Sequence, residues 1–454
     1  MRPMTLSELA APLQATLTGA DAVFQNVCTD SRSLQRGDLF VALCGEHFDG
    51  HDYVAQAVAG GAAAALVSRA LELPLPQLRV ADTQRALGRL GAHNRSLYGG
   101  PLVAITGSSG KTTVKNMVTA VLSQRGRTLA TQGNCNNEIG VPLTLLRLEP
   151  GVAFAVVEMG AARAGDIAWL CELGRPSIAL LLNAMPAHLQ GFGSVEDVAA
   201  AKGEIYDGLS DADVAIINAD LPWASAWRAR AGKARVLDFG VAAAAAVSAR
   251  AIRCDALQGV CFTASTPAGD IPVQLSLPGE HNVANALAAI AVGLACELSP
   301  GEIRAGLERV RPVAGRLCPA RSSAGATVID DCYNANPGSV RAAIDLLASC
   351  AGRRTLILGA MRELGANSAA LHRQVGAYAR ERGLDAFWGV GPELRGAVAA
   401  FGRGGRFFAD REAAASAAAG AFGRDNTVLV KGSRSAGMER LLRALLPGGA
   451  AGDS

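Results

Sequence analysis

The sequence predicts an α/β protein of three domains, and three observations carry that prediction. From Pro101 onward, short apolar runs alternate with stretches of helical periodicity, the pattern of a mostly parallel sheet covered by helices. A glycine-rich turn, GSSGKTT at 107–113, lies between one such run and one such helix. The alternation breaks at RPVAG, 311–315, and then resumes. A chain of 454 residues has room for about three domains.

The boundaries follow from these changes of pattern. Residues 1–97 hold short strands and one turn-rich element. Residues 98–312 carry the runs PLVAI, FAVVEM, SIALLLNA and VAIINAD, which read as the strands of a central phosphate-loop domain. RPVAG reads as a hinge. Residues 313–454 carry TVIDD, RTLILGA, AFWGVG, RFFAD and TVLVKG, a second series that fits a small doubly wound, Rossmann-like domain.

Composition narrows the function classes. Half of the residues are hydrophobic and 18% are charged, enough for packed cores. The net charge of +3 and the absence of basic blocks argue against a nucleic-acid partner. Ten cysteines, none in a C-x-x-C pair, argue against a zinc ribbon or a disulfide framework and fit a reducing cytosol. The start, MRPMTLSELAAPL, lacks the apolar core of a signal peptide, and the longest apolar stretch, 286–296, is too short to cross a bilayer. The expectation is a cytoplasmic monomer without membrane insertion.

AITGSSGKTTVKN, 104–116, lacks the first glycine of the usual phosphate-loop pattern, with Ile105 in its place. Its context supplies what that position does not. An apolar strand precedes it, and Val114, Met117, Val118, Val121 and Leu122 follow at helical spacing. Gly107 and Gly110 let the backbone turn tightly around an anion, and the N–H groups of the helix start point at it. Lys111 adds a point charge and Thr112 a hydroxyl suited to Mg²⁺. The alternative is an ordinary turn with a surface lysine.

Open α/β sheets bind ligands beyond the carboxyl ends of their strands, and the unusual polar residues gather there. Glu158 ends FAVVE, placed for a metal or a metal-bound water, or simply solvated. Asn183 and His188 fall in a glycine-bearing loop; a lone histidine is often just packed. His281, Asn282 and Asn285 open an apolar helix. Asn282 could be a plain cap, whereas Asn285 has no capping role and its amide suits an adenine edge. Lys202 shares a stripe with Val195, Val198, Ile205 and Leu209, so it either snorkels to solvent or carries its charge into a site.

TGSSGKTT, EMG, NAMPAHLQGFGS with AKGEIYDGL, GEHNVANALAA and DDCYNANPGS resemble, in order and spacing over nearly the whole chain, the Mur ligases. GNCNNEIGVPLTLL, DDCYNANP and KGSRSAGME resemble the branch that acts on D-alanyl-D-alanine. The resemblance implies an ATP-dependent, ADP-forming ligase of peptidoglycan synthesis. It would activate the carboxylate of a UDP-N-acetylmuramoyl-tripeptide as an acyl phosphate for attack by D-alanyl-D-alanine. It implies ATP bound by Thr106, Gly107, Ser108, Ser109, Gly110, Lys111, Thr112 and Thr113, with Asn282 and Asn285 at adenine, Asp331 at ribose and Arg316 at the phosphates. It also implies Mg²⁺ at Thr112 and Glu158, a second Mg²⁺ at His188, and Lys202 carrying CO₂ as a carbamate. Residues 1–97 would anchor uridine diphosphate through Ser31 and Arg32, although DSR as bare sequence is only a turn. Asn136 and Asn137 would touch the sugar or diphosphate, and Asn334, Asn336, Ser433 and Arg434 would shape the D-alanyl-D-alanine site.

Rival expectations are the ligase acting one step earlier, a folylpolyglutamate-type ligase, or a nucleotide-operated switch. The segment TDSRS…FDGH speaks against the folate type, which needs no uridine-nucleotide domain. A switch leaves Lys202 and His188 unexplained.

Overall fold

The computed structural model describes residues 1–186 and 189–447. Among them the strands form three main sheets, each with its own apolar core. The nine-stranded central sheet runs, edge to edge, Gly269–Leu275, Gly259–Thr266, Val247–Asp255, Arg235–Gly240, Val214–Asn218, Ile178–Leu181, Leu102–Thr106, Phe154–Glu158 and Thr128–Ala130. The first three strands pair antiparallel with one another in that order, and the remaining pairings are parallel. Every residue of Leu102–Thr106, Phe154–Glu158 and Ile178–Leu181 is buried. That is why these segments read as continuous apolar runs rather than alternating ones.

Strand Leu102–Thr106 lies between Phe154–Glu158 and Ile178–Leu181. The chain therefore departs to opposite sides of it, which opens a crevice at its carboxyl end. The helix Lys111–Leu122 leaves that crevice with Val114, Met117, Val118, Val121 and Leu122 buried, as their spacing predicts. It packs against His281–Ala295, a helix apolar almost all round and buried from Val283 to Gly293 save Ala284.

A six-stranded sheet over residues 318–431 has the order Cys318–Arg321, Thr327–Asp331, Asn426–Lys431, Arg353–Gly359, Ala386–Val390, Gly405–Phe408. All its pairings are parallel except that of the first strand. Near the N-terminus a five-stranded sheet joins Thr16–Thr18, Gln77–Arg79, Ala64–Val67, Leu39–Val41 and Val27–Cys28. In that unit buried His51 accepts the Ser68 N–H at Nε2, 2.9 Å, and its Nδ1 lies 2.6 Å from the Asp49 carboxylate. Nε2 must therefore be unprotonated and Nδ1 donates to the carboxylate, so that Asp49 and His51, with Cys44 beside them, strap the loop. Among the described residues no helix is long and apolar enough to cross a membrane.

Lys202 sits near the end of a helix, Val195–Gly203, that opens with a capping box of Ser194 and Asp197. The helix is shorter than the stripe implied. A 3-10 turn, Glu204–Tyr206, follows, so Ile205 is buried from that turn and Leu209 lies beyond it. Tyr206 is wholly buried; its hydroxyl donates to the Ile216 carbonyl at 2.7 Å and accepts from the Leu181 N–H at 3.2 Å. Tyr206→Phe strips both groups of this partner, and an expected loss of about 1–3 kcal/mol is checked by urea unfolding. An unchanged midpoint contradicts the assignment.

Candidate active site

The phosphate loop is built from the backbone outward. Gly110 takes φ +81° as the residue before helix Lys111–Leu122. A Cβ there would be strained, and it would stand 2.8 Å from Asn285 Oδ1. Lys111 Nζ folds back to donate to the Gly107 carbonyl at 2.7 Å. Asn183 clamps the loop from the next strand: Oδ1 accepts the Ser109 N–H at 2.9 Å and Nδ2 donates to the Ser109 carbonyl at 3.1 Å. Thr106 takes no part in the cleft wall. It is buried and its hydroxyl donates to the Met159 carbonyl at 2.8 Å, because the last residue of a fully covered strand turns its polar group inward to a neighbouring strand end.

Glu158, buried, stands beside the loop. One carboxylate oxygen accepts from the Thr112 hydroxyl at 3.0 Å and the other from Asn136 Nδ2 at 2.8 Å. Its own N–H donates to Thr131 Oγ1 at 2.9 Å, and the Thr131 carbonyl accepts from buried Lys115 Nζ at 2.8 Å. Asn136 thus spends its Nδ2 on the carboxylate while lining the cleft. Asn137 uses Oδ1 to accept the Gly140 N–H at 2.9 Å, fixing the start of helix Gly140–Leu145.

The cleft in front of this loop has a volume of about 910 Å³ and is walled on its far side by the unit that begins near residue 315. Ser108, Ser109, Gly110, Lys111, Thr112, Thr113, Asn136, Asn137, Glu158, Asn282 and Asn285 line one wall, and Arg316, Asp331, Asn334, Asn336 and Arg434 the other. Arg316 crosses it: Nη2 donates to Thr112 Oγ1 at 3.0 Å, and the guanidinium lies 4.2 Å over the Tyr333 ring. Its Nε is buried without a partner, a cationic donor left for an anion in the cleft. Asn336 Nδ2 reaches the Ser108 carbonyl at 3.4 Å. Burial pushes the Lys111 pKa down, with Arg316 adding to that and Glu158 opposing it.

Asn282 does not cap its helix, which begins at His281 after Glu280. Asn282 Nδ2 donates to the Pro278 carbonyl at 2.8 Å, and its Oδ1 accepts from Asn285 Nδ2 at 2.9 Å. The two amides form a fixed pair beside the glycine turn, with Phe239, Leu182 and Leu277 on the same wall.

Lys202 does not line the cleft; it is 1% exposed, which rules out snorkelling. Burial pushes its pKa down to about 7, with nearby Lys111 adding to the shift and Asp166 opposing it. Its helix is held by Trp227 Nε1, which donates to the Ala199 carbonyl at 3.0 Å, and by Arg230, which donates to that of Ala200. His188 lies outside the described residues.

Ser31 and Arg32 do not line this cleft. Ser31 Oγ donates to Gln56 Oε1 at 2.9 Å, while Arg32 forks onto Asp30 at 2.9 and 2.7 Å with its side chain 83% exposed. Ser433 Oγ accepts the Arg362 N–H at 2.9 Å. The Arg434 guanidinium lies 6.0 Å from the centre of the Tyr333 ring.

Sequence reasoning missed Lys115, Thr131, Tyr333 and Lys431. Lys431 had a usable signal: like Glu158, it is a charged residue ending an apolar strand at the ligand edge of a parallel sheet. Its Nζ pairs with Asp331 Oδ2 at 2.5 Å. Burial raises the Asp331 pKa and Lys431 opposes that rise.

Comparison with known proteins gives the chain a family. The family description "Mur ligase middle domain" matches residues 105–293, "Mur ligase, glutamate ligase domain" 315–434, and "Mur ligase family, catalytic domain" 23–95. The UDP-N-acetylmuramoyl-tripeptide–D-alanyl-D-alanine ligase of Escherichia coli K12 is 47% identical over 99% of this chain and 100% of its own. A crystal structure of MurF from Acinetobacter baumannii superposes with TM-score 0.93 at 36% identity, covering 97% of this chain and 98% of that one. MurF ligase from Thermotoga maritima, crystallised in complex with ADP, gives TM-score 0.83 at 27% identity over 92% and 96%.

Proposed function

Because the chain belongs to the Mur ligase family, we propose that it uses ATP to join D-alanyl-D-alanine to the free carboxylate of a UDP-N-acetylmuramoyl-tripeptide, releasing ADP and phosphate. The observation that carries this reading is the cleft between a phosphate loop and a facing wall whose Arg316 keeps a buried, unpartnered Nε. We place the work in the cytoplasm, where peptidoglycan precursors and ATP meet, and divide the chain into units 1–97, 98–312 and 313–454.

The chemistry asks for two displacements. The tripeptide carboxylate attacks the γ-phosphorus of ATP, and the bond to the β,γ-bridging oxygen breaks as ADP leaves. The neutral amine of D-alanyl-D-alanine then attacks the acyl carbon, and the carbon–oxygen bond to phosphate breaks. Both steps gather negative charge, so the protein's task is positioning and preorganised positive charge. Lys111 and the N–H groups of 107–113 hold the β- and γ-phosphates, and Arg316 reaches them from the far wall. Asn282 and Asn285 face adenine and Asp331 the ribose. Thr112 and Glu158 are an oxygen-donor pair 3.0 Å apart that fits Mg²⁺; when bound, the ion neutralises phosphate charge. His188 and a carbamylated Lys202 would serve a second ion.

Ser31 and Arg32 contribute to the uridine diphosphate site of the N-terminal unit. Asn136 and Asn137 stand between that substrate and the phosphates. Asn334, Asn336 and Arg434 flank the incoming dipeptide, whose carboxylate needs the Arg434 cation.

The test is phosphate release. It should appear only when the uridine-linked tripeptide and D-alanyl-D-alanine are both present, with a product mass equal to their condensation; lysine- and diaminopimelate-bearing tripeptides tried side by side identify the third residue of the substrate. ATP hydrolysis that needs neither substrate points instead to a nucleotide switch.

One ATP must touch Lys111 on one unit and Arg316 on another, so residues 311–315 act as the hinge on which the cleft opens and closes. Distance labels on the two units should therefore lengthen when nucleotide and uridine substrate are withheld. Equal separations in both conditions count against a hinge.

A further inference from the structure

The geometry points to Lys431 as a positioning residue that serves two substrates at once, holding Asp331 for the nucleotide and the turn at Asn334 for the incoming amine. This inference rests on the ligase reading above. Asp331 and Lys431 end neighbouring parallel strands and are partners in register. Lys431 Nζ donates to Asp331 Oδ2 at 2.5 Å and, with a second hydrogen, to the Asn334 carbonyl at 2.9 Å. Both side chains are nearly enclosed, at 4% exposure for Lys431 and 11% for Asp331, yet both residues and Asn334 reach the cleft wall.

An ion pair taken out of water is poor evidence of stability by itself, because desolvation offsets the attraction. A pair kept at a cleft wall and shared with a turn carbonyl has a different use. The ammonium engages Oδ2 and the Leu317 backbone N–H also donates to the carboxylate; the two fix its orientation and leave it lone pairs with which to accept from a ligand hydroxyl. The same ammonium pins the peptide after Tyr333, so the 332–336 turn cannot move without disturbing the carboxylate. Ser433, two residues on, donates to the Ala335 carbonyl at 3.2 Å and extends the strap across that turn. One ammonium thus orders both the nucleotide side and the amine side, through two separate hydrogen bonds.

The experiment compares Lys431→Met, Asp331→Asn and the double variant, measuring ADP affinity by calorimetry and KM for D-alanyl-D-alanine by phosphate release. Parent turnover in the same series checks the ligase reading separately, since ADP binding is measured without either other substrate. Lys431→Met should weaken ADP by about tenfold or more, the scale of a lost charge-assisted hydrogen bond. In the Asp331→Asn background the same change should leave ADP affinity within about twofold, because its nucleotide effect passes through Asp331. It should still raise KM for D-alanyl-D-alanine severalfold, because the Asn334 contact is independent. The double variant buries no lone charge, so this comparison holds even where Lys431→Met folds poorly. An unchanged dipeptide KM between Asp331→Asn and the double variant overturns the proposal. So does an equal loss of ADP affinity in both backgrounds.

Discussion

Lys111→Ala is expected to lower the ligation rate by about a hundredfold or more, the scale of removing one preorganised electrostatic contact from a transition state. The ammonium stands at a tight glycine turn and donates to the Gly107 carbonyl at 2.7 Å. Loss of the side chain removes no core contact, since the apolar face of its helix is carried by Val114, Met117, Val118, Val121 and Leu122. Far-UV circular dichroism and the melting temperature should therefore match the parent while kcat falls. A variant within tenfold of the parent would falsify the phosphate-loop role. Arg316→Ala, acting on the same charge from the facing wall, should leave the loop intact and weaken turnover in the same direction.

Lys202→Ala should also be nearly inactive, by about a hundredfold or more, and partly restored by short carboxylic acids such as acetate. The residue is 1% exposed, its pKa is pushed down to about 7 by burial, and Lys111 lies close enough to add to that shift. Two like charges close together are unfavourable, and an uncharged amine is the form that reacts with CO₂. A carbamate replaces the second positive charge with a negative one, which complements Lys111 and offers oxygens to a metal. Rescue by acids follows from refilling the vacated space with a carboxylate. Rescue by small amines, with none by acids, would mean a plain lysine at work. Parent enzyme in CO₂-depleted buffer should lose activity and regain it with bicarbonate, and at a fixed concentration of dissolved CO₂ the regain should be faster as pH rises through about 7, since deprotonation exposes the reactive amine.

The parts of the site that were legible in the sequence are those whose geometry is local. A phosphate loop is consecutive backbone, so strand, glycine turn and helix announce it within residues 102–122 even with Ile105 in place of the usual first glycine. Glu158 was legible because a carboxylate ending an apolar strand has to emerge at the ligand edge. Lys202 was legible from the apolar company it keeps, although the helix stops at Gly203 and the stripe continues only through a 3-10 turn. The pairing of Asn136 with Glu158 was not legible, because Glu158 comes from another strand and nothing in GNCNNE states which strand will lie beside it.

The order of apolar runs, the glycine turn and the break at 311–315 by themselves determined an α/β chain with a nucleotide loop and a second sheet. Local periodicity and turn chemistry act over a few residues, so a one-dimensional pattern carries them. Only the tertiary structure decided that Arg316 would meet Thr112, 204 positions away, and that Lys431 would meet Asp331, 100 positions away. Those meetings depend on strand order and register, on which wall closes over which, and on where a charge must be paired once water is excluded. Such requirements arise between surfaces and have no fixed spacing along the chain.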